Sequence, residues 1–193
     1  MGEPSGFDLL KRSPKYFKEH IPLATVGVIP YTVKDGEVFI LLGRETKDQT
    51  WSDFGGKVNT SDTTFAAALI RELYEETAGM IHLSDEQLHD PHTLLLYIHK
   101  PGKREIVYAF CRVDYRPGSE FLSAVRTATE ESHKEKDQFR WLSLTEFEHC
   151  KTEDSAEYPL RSYFRDDLIR STYFSTVIKK LREEAYLKNE RKN

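Results

Sequence analysis

"GGKVNTSDTTFAAALIRELYEETAGM", Gly55 to Met80, sets a glycine pair ahead of a helix whose charge sits in the wrong place. The run "FAAALIRELYEET" is rich in alanine and leucine, with Thr64 placed to cap its start and Gly79 to end it. On a wheel of about 100° per residue, Ala66, Leu69, Ile70 and Leu73 form a stripe that would face a core. Glu72, Glu75 and Glu76 gather in the neighbouring band. Like charges three and four residues apart destabilise an isolated helix by roughly a few tenths of a kcal/mol per pair. Glu75 and Glu76 also stand at the end where the helix dipole disfavours anions. A divalent cation would reverse both penalties, and hard cations such as Mg²⁺ take oxygen ligands. The competing reading is an ordinary solvated face, with Arg71–Glu75 as an i,i+4 pair. The preceding glycines weigh against it, because they let backbone approach a ligand and can turn a carbonyl towards a metal.

The surrounding chain has room for one domain with a sizeable core: 193 residues, 38% hydrophobic, 31% charged and 12% aromatic. Its net charge of −4 does not mark it as a nucleic-acid binder. No apolar run approaches the roughly 20 residues that span a bilayer, and "MGEPSGFDLL" has no signal-peptide pattern. A cytoplasmic location without membrane attachment is the expectation. Cys111 and Cys150 lack metal-type spacing, and Cys111 reads as a buried thiol. The histidines show no HxxxH or HxH pattern, so zinc is not indicated.

With no internal repeat or low-complexity linker, residues 1–20 read as an N-terminal arm, 21–185 as a single domain and 186–193 as a charged tail. "LATVGVIPYT" and "EVFILLGRE" read as strands joined at Asp35–Gly36, a hairpin signal. "WSDFGGKVNTSDTT" reads as a loop, with "GGKV" closing a strand. "HTLLLYIH" and "EIVYAFCRV" form a second hairpin around "KPGKR". "DYRPGSEFLSAVRTATEESHKEKDQ" reads as a long irregular loop. "FRWLSL" is a short strand, and "LIRSTYFSTVIKKLREEAYL" is helical. A helix between hairpins argues for an α/β/α layered domain.

The Gly55–Met80 segment resembles the signature of the Nudix hydrolases: a Gly, a spacer, an acidic residue, a second spacer, then Arg-Glu-apolar-x-Glu-Glu-x-Gly-apolar. Gly56, Arg71, Glu72, Leu73, Glu75, Glu76, Gly79 and Met80 match it. One position departs. Counting from Gly56, the acidic place holds Asp62, and one extra residue separates it from Arg71, which puts Asp62 out of register and outside the working set. The resemblance implies a Nudix-type α/β/α sandwich with a mixed β-sheet. It also implies hydrolysis of a pyrophosphate bond in a nucleoside diphosphate linked to another group, with Mg²⁺ or Mn²⁺ as cofactor. By the same resemblance Glu72, Glu75 and Glu76 hold the metal or act through its water, the Gly55 carbonyl is a further ligand, and Arg71 orients a glutamate. The catalytic base comes from a loop outside the motif in many members, and Glu130, Glu131 and Glu135 are the candidates here.

Arg44 and Lys57 lie where either can meet phosphate. Trp51 and Phe54 suit core packing better than base stacking. Tyr97 lies 17 residues past Met80, a spacing similar to that in relatives acting on dinucleoside polyphosphates. The proline expected nearby in ADP-ribose hydrolases is replaced by Leu95 or Leu96. The expected partner is therefore a small-molecule nucleotide, with dinucleoside polyphosphates ahead of ADP-ribose. Lys100, Lys103, Arg104, Arg161, Arg165 and Arg170 leave capped RNA and diphosphoinositol phosphates open. A non-catalytic nucleotide sensor on the same fold is the alternative from another class.

Overall fold

Strand β1, Ala24–Lys34, organises a mixed sheet because it has three partners. The computed structural model describes residues 24–100, 104–150, 157–169, 171 and 173–190. The expected arm, Lys103, Arg170 and the last three residues of the expected tail lie outside the described residues. Along one edge, β1 runs parallel to β6, Arg104–Arg112, with Ala24 opposite Glu105 and Tyr31 opposite Arg112. The other edge is divided. Thr25–Val28 pairs with β4, Phe54–Lys57, and Tyr31–Lys34 pairs with β2, Glu37–Glu45. Pro30 has no N–H to give and falls in the gap between those two partners. The sheet is completed by β3 (Trp51–Ser52) and β7 (Lys136–Ser143) on β2, and by β5 (Leu94–Lys100) on β6. The two expected hairpins are present, and Asp35 and Gly36 both have positive φ, as the tight turn between β1 and β2 requires.

Alternation along β1 builds two cores. Val26 and Val28 face one, and Ile29, Tyr31 and Val33 face the other. Helix α1, Phe65–Glu76, covers the first core with Phe65, Ala66, Ala68, Leu69 and Leu73, beside α2, Asp85–Leu88. Thr64 caps α1 by accepting from Ala67 N, and the Gly79 N–H closes its end on Tyr74 O. Phe121 and Val125, four residues apart on α3 (Gly118–Thr127), join the same layer against Phe139. The second face is covered by Phe147 of α4 (Leu144–His149), Phe164 of α5 (Ser162–Phe164), and Phe174, Val177, Ile178 and Leu181 of α6 (Phe174–Glu190). This is the expected α/β/α sandwich with a mixed sheet.

Three local readings are corrected. The segment opened by Trp51 is not all loop, since β3 and β4 occupy Trp51–Ser52 and Phe54–Lys57. Its glycines stand where two backbones approach. A Cβ on Gly55 would lie 2.1 Å from the Val26 carbonyl oxygen and 2.6 Å from Gly27 Cα. The long segment after Asp114 is ordered as α3 and a 3₁₀ turn, Glu131–Lys134, because Phe121 and Val125 supply an apolar face that its charges mask in sequence. The C-terminal helix is preceded by a separate π-helical turn, Arg165–Ile169, and α6 itself runs through to Glu190. Cys111 and Cys150 are buried free thiols, and burial pushes Cys111 up to about 12.

Gly55→Ala is expected to cost more than the about 1–3 kcal/mol usual for overpacking, because both struck atoms are backbone and neither can rotate away. Urea denaturation checks this. A midpoint equal to wild type would contradict the β1–β4 approach.

Candidate active site

Helix α1 delivers its carboxylates to strand β4 from one side. The Gly55 N–H donates to Glu76 Oε2 at 2.8 Å. A Cβ on Gly56 would lie 2.8 Å and 2.9 Å from the two carboxylate oxygens of Glu72. The glycine pair therefore lets β4 lie close to both acids. Glu72 and Glu76 are buried at 8% and 3% exposure. Burial pushes Glu72 up, against the pull of Arg71, and pushes Glu76 well above the usual carboxylate range, against the pull of Lys136.

Arg71 binds the outer side of the cluster. Its Nε and Nη2 donate to the two Asp62 oxygens at 2.9 Å each, and Nη2 also reaches Lys57 O at 3.2 Å. Its Nη1 meets Glu72 Oε1 at 2.9 Å and Glu75 Oε2 at 3.0 Å. Asp62 therefore does not drop out of the site, as the extra residue implied. The loop absorbs the insertion, and Asp62 lies buried on the guanidinium, also accepting from Asn59 N at 2.7 Å. Burial alone would raise Asp62, but Arg71 and the Asn59 N–H outweigh it and hold the carboxyl below its usual value.

Lys136 binds the inner side, a residue that its charged surroundings in "HKEKDQ" hid from sequence reading. It opens β7 with no exposed surface. Its Nζ donates to Glu45 Oε1 at 2.6 Å, Ser52 Oγ at 2.8 Å and Asp53 O at 2.9 Å, and it stands 3.5 Å from Glu76 Oε2. Burial alone would lower this amine, but Glu76 and Glu45 outweigh it and hold it above its usual value. Arg161 adds a second cation on Glu45 Oε1 at 2.8 Å.

Across β4 from α1, a cavity of about 210 Å³ is lined by Thr25, Asp53, Lys57, Tyr108, Arg161 and Tyr163, together with the glycine pair. Asp53 was not foreseen either. It is 2% exposed, its Oδ1 has no hydrogen-bond partner, and burial pushes it up to about 7, with Lys136 opposing and Glu45 adding.

The other expected residues divide. Lys57 lines the cavity. Arg44 is not free for phosphate, since it grips Asp137 through Nε at 2.8 Å and Nη2 at 3.2 Å. Tyr97 does not line the cavity. It stands on β5, with β6 and β1 between it and β4, opposite Val107, which faces the α1 core. Among the loop acids, Glu131 pairs with Lys134 at 2.8 Å, while the charge of Glu135 reaches Glu72. Trp51 and Phe54 are core residues, packed on Tyr158 and Phe139.

Among the described residues no three carboxylates converge as a ready metal cage. Glu75 turns to Arg71, and Glu76 turns to Gly55 and Lys136. The donor set still suits a hard divalent cation: it is all oxygen, and the missing Cβ of Gly56 lets the Glu72 carboxylate lie directly against β4, beside the Gly55 backbone.

The NUDIX domain model matches residues 22–164, and the chain belongs to that family. A mimivirus protein from Acanthamoeba polyphaga, uncharacterized protein L534, is 40% identical over 67 residues, covering 32% of this chain and 22% of its own length. The chain thus spans about a fifth of that relative. The C. elegans Ap4A hydrolase binary complex is 18% identical, covering 86% of this chain and 98% of that one, with a TM-score of 0.47. The NUDIX domain of Shewanella oneidensis NrtR complexed with ADP ribose is also 18% identical, covering 94% and 99%, with a TM-score of 0.47. Neither structure decides a substrate for this chain. No described helix is long and apolar enough to cross a membrane.

Opposite pH dependences follow for the metal-free protein. Asp62, lowered on folding, contributes stability that is present above its unfolded value and lost as pH falls through its folded one. Glu72, raised on folding, contributes stability that is present below its usual value near 4.5 and lost as pH rises through its folded one. In EDTA, Asp62→Asn should flatten the acid limb of a Tm-against-pH curve, and Glu72→Gln should flatten the decline above pH 4.5. Parallel curves for wild type and both variants would contradict these environments.

Proposed function

We propose that this chain hydrolyses the pyrophosphate bond of a nucleoside diphosphate linked to a second group. The observation that carries the reading is the placement of Glu72 and Glu76 against Gly55–Gly56, with a cavity for the substrate on the other side of the same strand. Glu72, Glu76 and the Gly55 carbonyl would hold Mg²⁺ or Mn²⁺. When bound, the ion neutralises charge on phosphate oxygens and lowers the pKa of the water it holds. Arg71 fixes Glu72 and Glu75 in orientation and ties α1 to the end of β4. Lys57 and Arg161 border the cavity as cations for the phosphates. The candidates for general base are Glu130, Glu131 and Glu135, of which Glu135 is the first to test because its charge is felt at Glu72. A phosphorus centre attacked by water needs no protein nucleophile. A preference for dinucleoside polyphosphates loses the part of its support that rested on Tyr97 and keeps the part that rests on Leu95 or Leu96 in place of the proline.

The deciding experiment incubates ADP-ribose, dinucleoside polyphosphates, nucleotide sugars, capped RNA and diphosphoinositol phosphates with Mg²⁺ or Mn²⁺ and measures the release of phosphorylated cleavage products, such as AMP and ribose 5-phosphate from ADP-ribose. Release from any nucleoside diphosphate conjugate, lost at least about 100-fold in Glu72→Gln and Glu76→Gln, supports the reading. Ligand-induced thermal shifts without turnover of any compound would make the protein a sensor instead.

Two further outcomes are expected. Glu135→Gln should lower kcat by about 10²–10⁴-fold, the usual range for loss of a general base, and Glu131→Gln should leave kcat within a few-fold. The reverse order would move the base to Glu131. Metal at a hundred times its Kd should stabilise the fold by about 2.7 kcal/mol, read as a Tm rise over EDTA that Glu72→Gln removes. An identical rise in the variant would place the ion elsewhere.

A further inference from the structure

Asp53 occupies space that β1 has left for it. A Cβ on Gly27 would lie 1.8 Å from Asp53 Oδ2 and 2.9 Å from Tyr108 Cε1. The neighbours Val26, Val28 and Ile29 all fill core, so Gly27 marks the place where the strand yields its side-chain volume to an acid. Nothing in the fold uses that acid's Oδ1. Lys136 takes the main-chain oxygen of Asp53, and Oδ1 is buried without a hydrogen-bond partner. A buried acceptor left unmet is costly, and an apolar side chain would fill the position better. The cavity gives the acceptor a direction. Tyr108, 1% exposed, and Tyr163, with the Arg161 guanidinium 4.9 Å over its ring, line it, and Arg161 and Lys57 are its cations. A phosphate would be drawn to those cations, of which Lys57 directly follows the glycine pair that Glu72 and Glu76 pack against.

We propose that the cavity is a nucleobase subsite in which Asp53 accepts a hydrogen bond from an N–H on the base edge, with Tyr108 and Tyr163 lining it. The proposal rests on the nucleotide reading above and names the part of the substrate that the pocket selects. A base with an N–H donor meets the orphaned acceptor, whereas a base lacking one leaves it unpaired, and that difference is what the site discriminates. A ribose hydroxyl could meet the same oxygen, but it would leave the two lining tyrosines unused.

Calorimetric titration in EDTA tests this without turnover. The probes are AMP, GMP, CMP and UMP, ribose 5-phosphate, and purine riboside 5′-phosphate, whose base carries no N–H. At least one of the four nucleotides should bind tenfold or more tighter than both controls, about 1.4 kcal/mol. In Asp53→Leu that preference should fall to within about twofold, and Tm should not drop, because the variant removes an unpaired buried acceptor. If ribose 5-phosphate binds as well as every nucleotide, or if Asp53→Leu keeps the preference, the subsite is overturned. Asp53→Asn, which keeps an acceptor oxygen, should retain the preference; a Tm fall of many degrees in Asp53→Leu, with the preference lost in Asp53→Asn as well, would make Asp53 structural and also overturn it. Failure of the hydrolase reading looks different: nucleotides bind with the stated preference, yet no conjugate is cleaved to its nucleoside monophosphate in Mg²⁺ or Mn²⁺.

Discussion

The buried ammonium of Lys136 is the charge on which the interior of the site depends. Its three hydrogen bonds run to Glu45 on β2, Ser52 on β3 and the Asp53 carbonyl just before β4. One side chain from β7 thus ties together the three short stretches that must meet for β4 to lie against α1. Desolvating an amine carries a penalty of several kcal/mol unless partners surround it. Here all three N–H groups are used, and Glu76 lies 3.5 Å away. Removal of Lys136 would leave Glu45 with Arg161 and the Ser52 hydroxyl, and Glu76 with a backbone N–H. Breaking a buried pair in this way costs about 3–5 kcal/mol.

Arg71 and Lys136 together change the answer to the question posed by three glutamates on one helix end. Sequence alone makes those carboxylates a cluster repelling itself. In the structure they are divided between two cations: Glu75 and one oxygen of Glu72 go outward to Arg71, and Glu76 goes inward towards Lys136. What remains costly is desolvation rather than mutual repulsion. Burial is the first cause of the upward shift at both Glu72 and Glu76. A cation entering beside Gly56 would therefore act mainly by restoring to these oxygens the solvation that folding removed, which ties metal affinity to how tightly β4 is closed.

The helix, both hairpins and the layered fold were legible because each has a local signature: a 3.6-residue apolar stripe with a capping threonine, two positive-φ turn residues, and alternating strands. The carboxylates of α1 were legible for the same reason, since helical spacing fixes their face. Strand β4 was less so, because a glycine pair signals a turn by itself and becomes a strand only when another backbone, that of Val26, comes within reach. Helix α3 was hidden by its charges, although Phe121 and Val125 have helical spacing. Lys136 and Asp53 could not be found at all. Each sits in a polar stretch that composition assigns to solvent, and only the long-range pairing of β7 with β2 and of β4 with β1 puts them inside. Asp62 was misjudged because spacing along a loop does not measure distance, and a loop can absorb one residue without moving its anchoring side chain.

Tyr97 and Asp53 show how sheet topology overrides spacing in assigning substrate contacts. A tyrosine at a suggestive distance along the chain lies on β5, separated from β4 by two strands, while the residue next to the glycine pair reaches the cavity directly. Strand neighbours are about 4.8 Å apart, so two intervening strands set Tyr97 about 14 Å from β4, beyond a nucleotide edge seated against Asp53. The side chains that can select a substrate are instead those that β1, β6 and the α5 segment bring over the far face of the glycine pair: Thr25, Tyr108, Arg161 and Tyr163. The α1 carboxylates and the cavity side chains then lie on opposite faces of one thin strand, which the carboxylates approach closely only because its residues 55 and 56 are glycine.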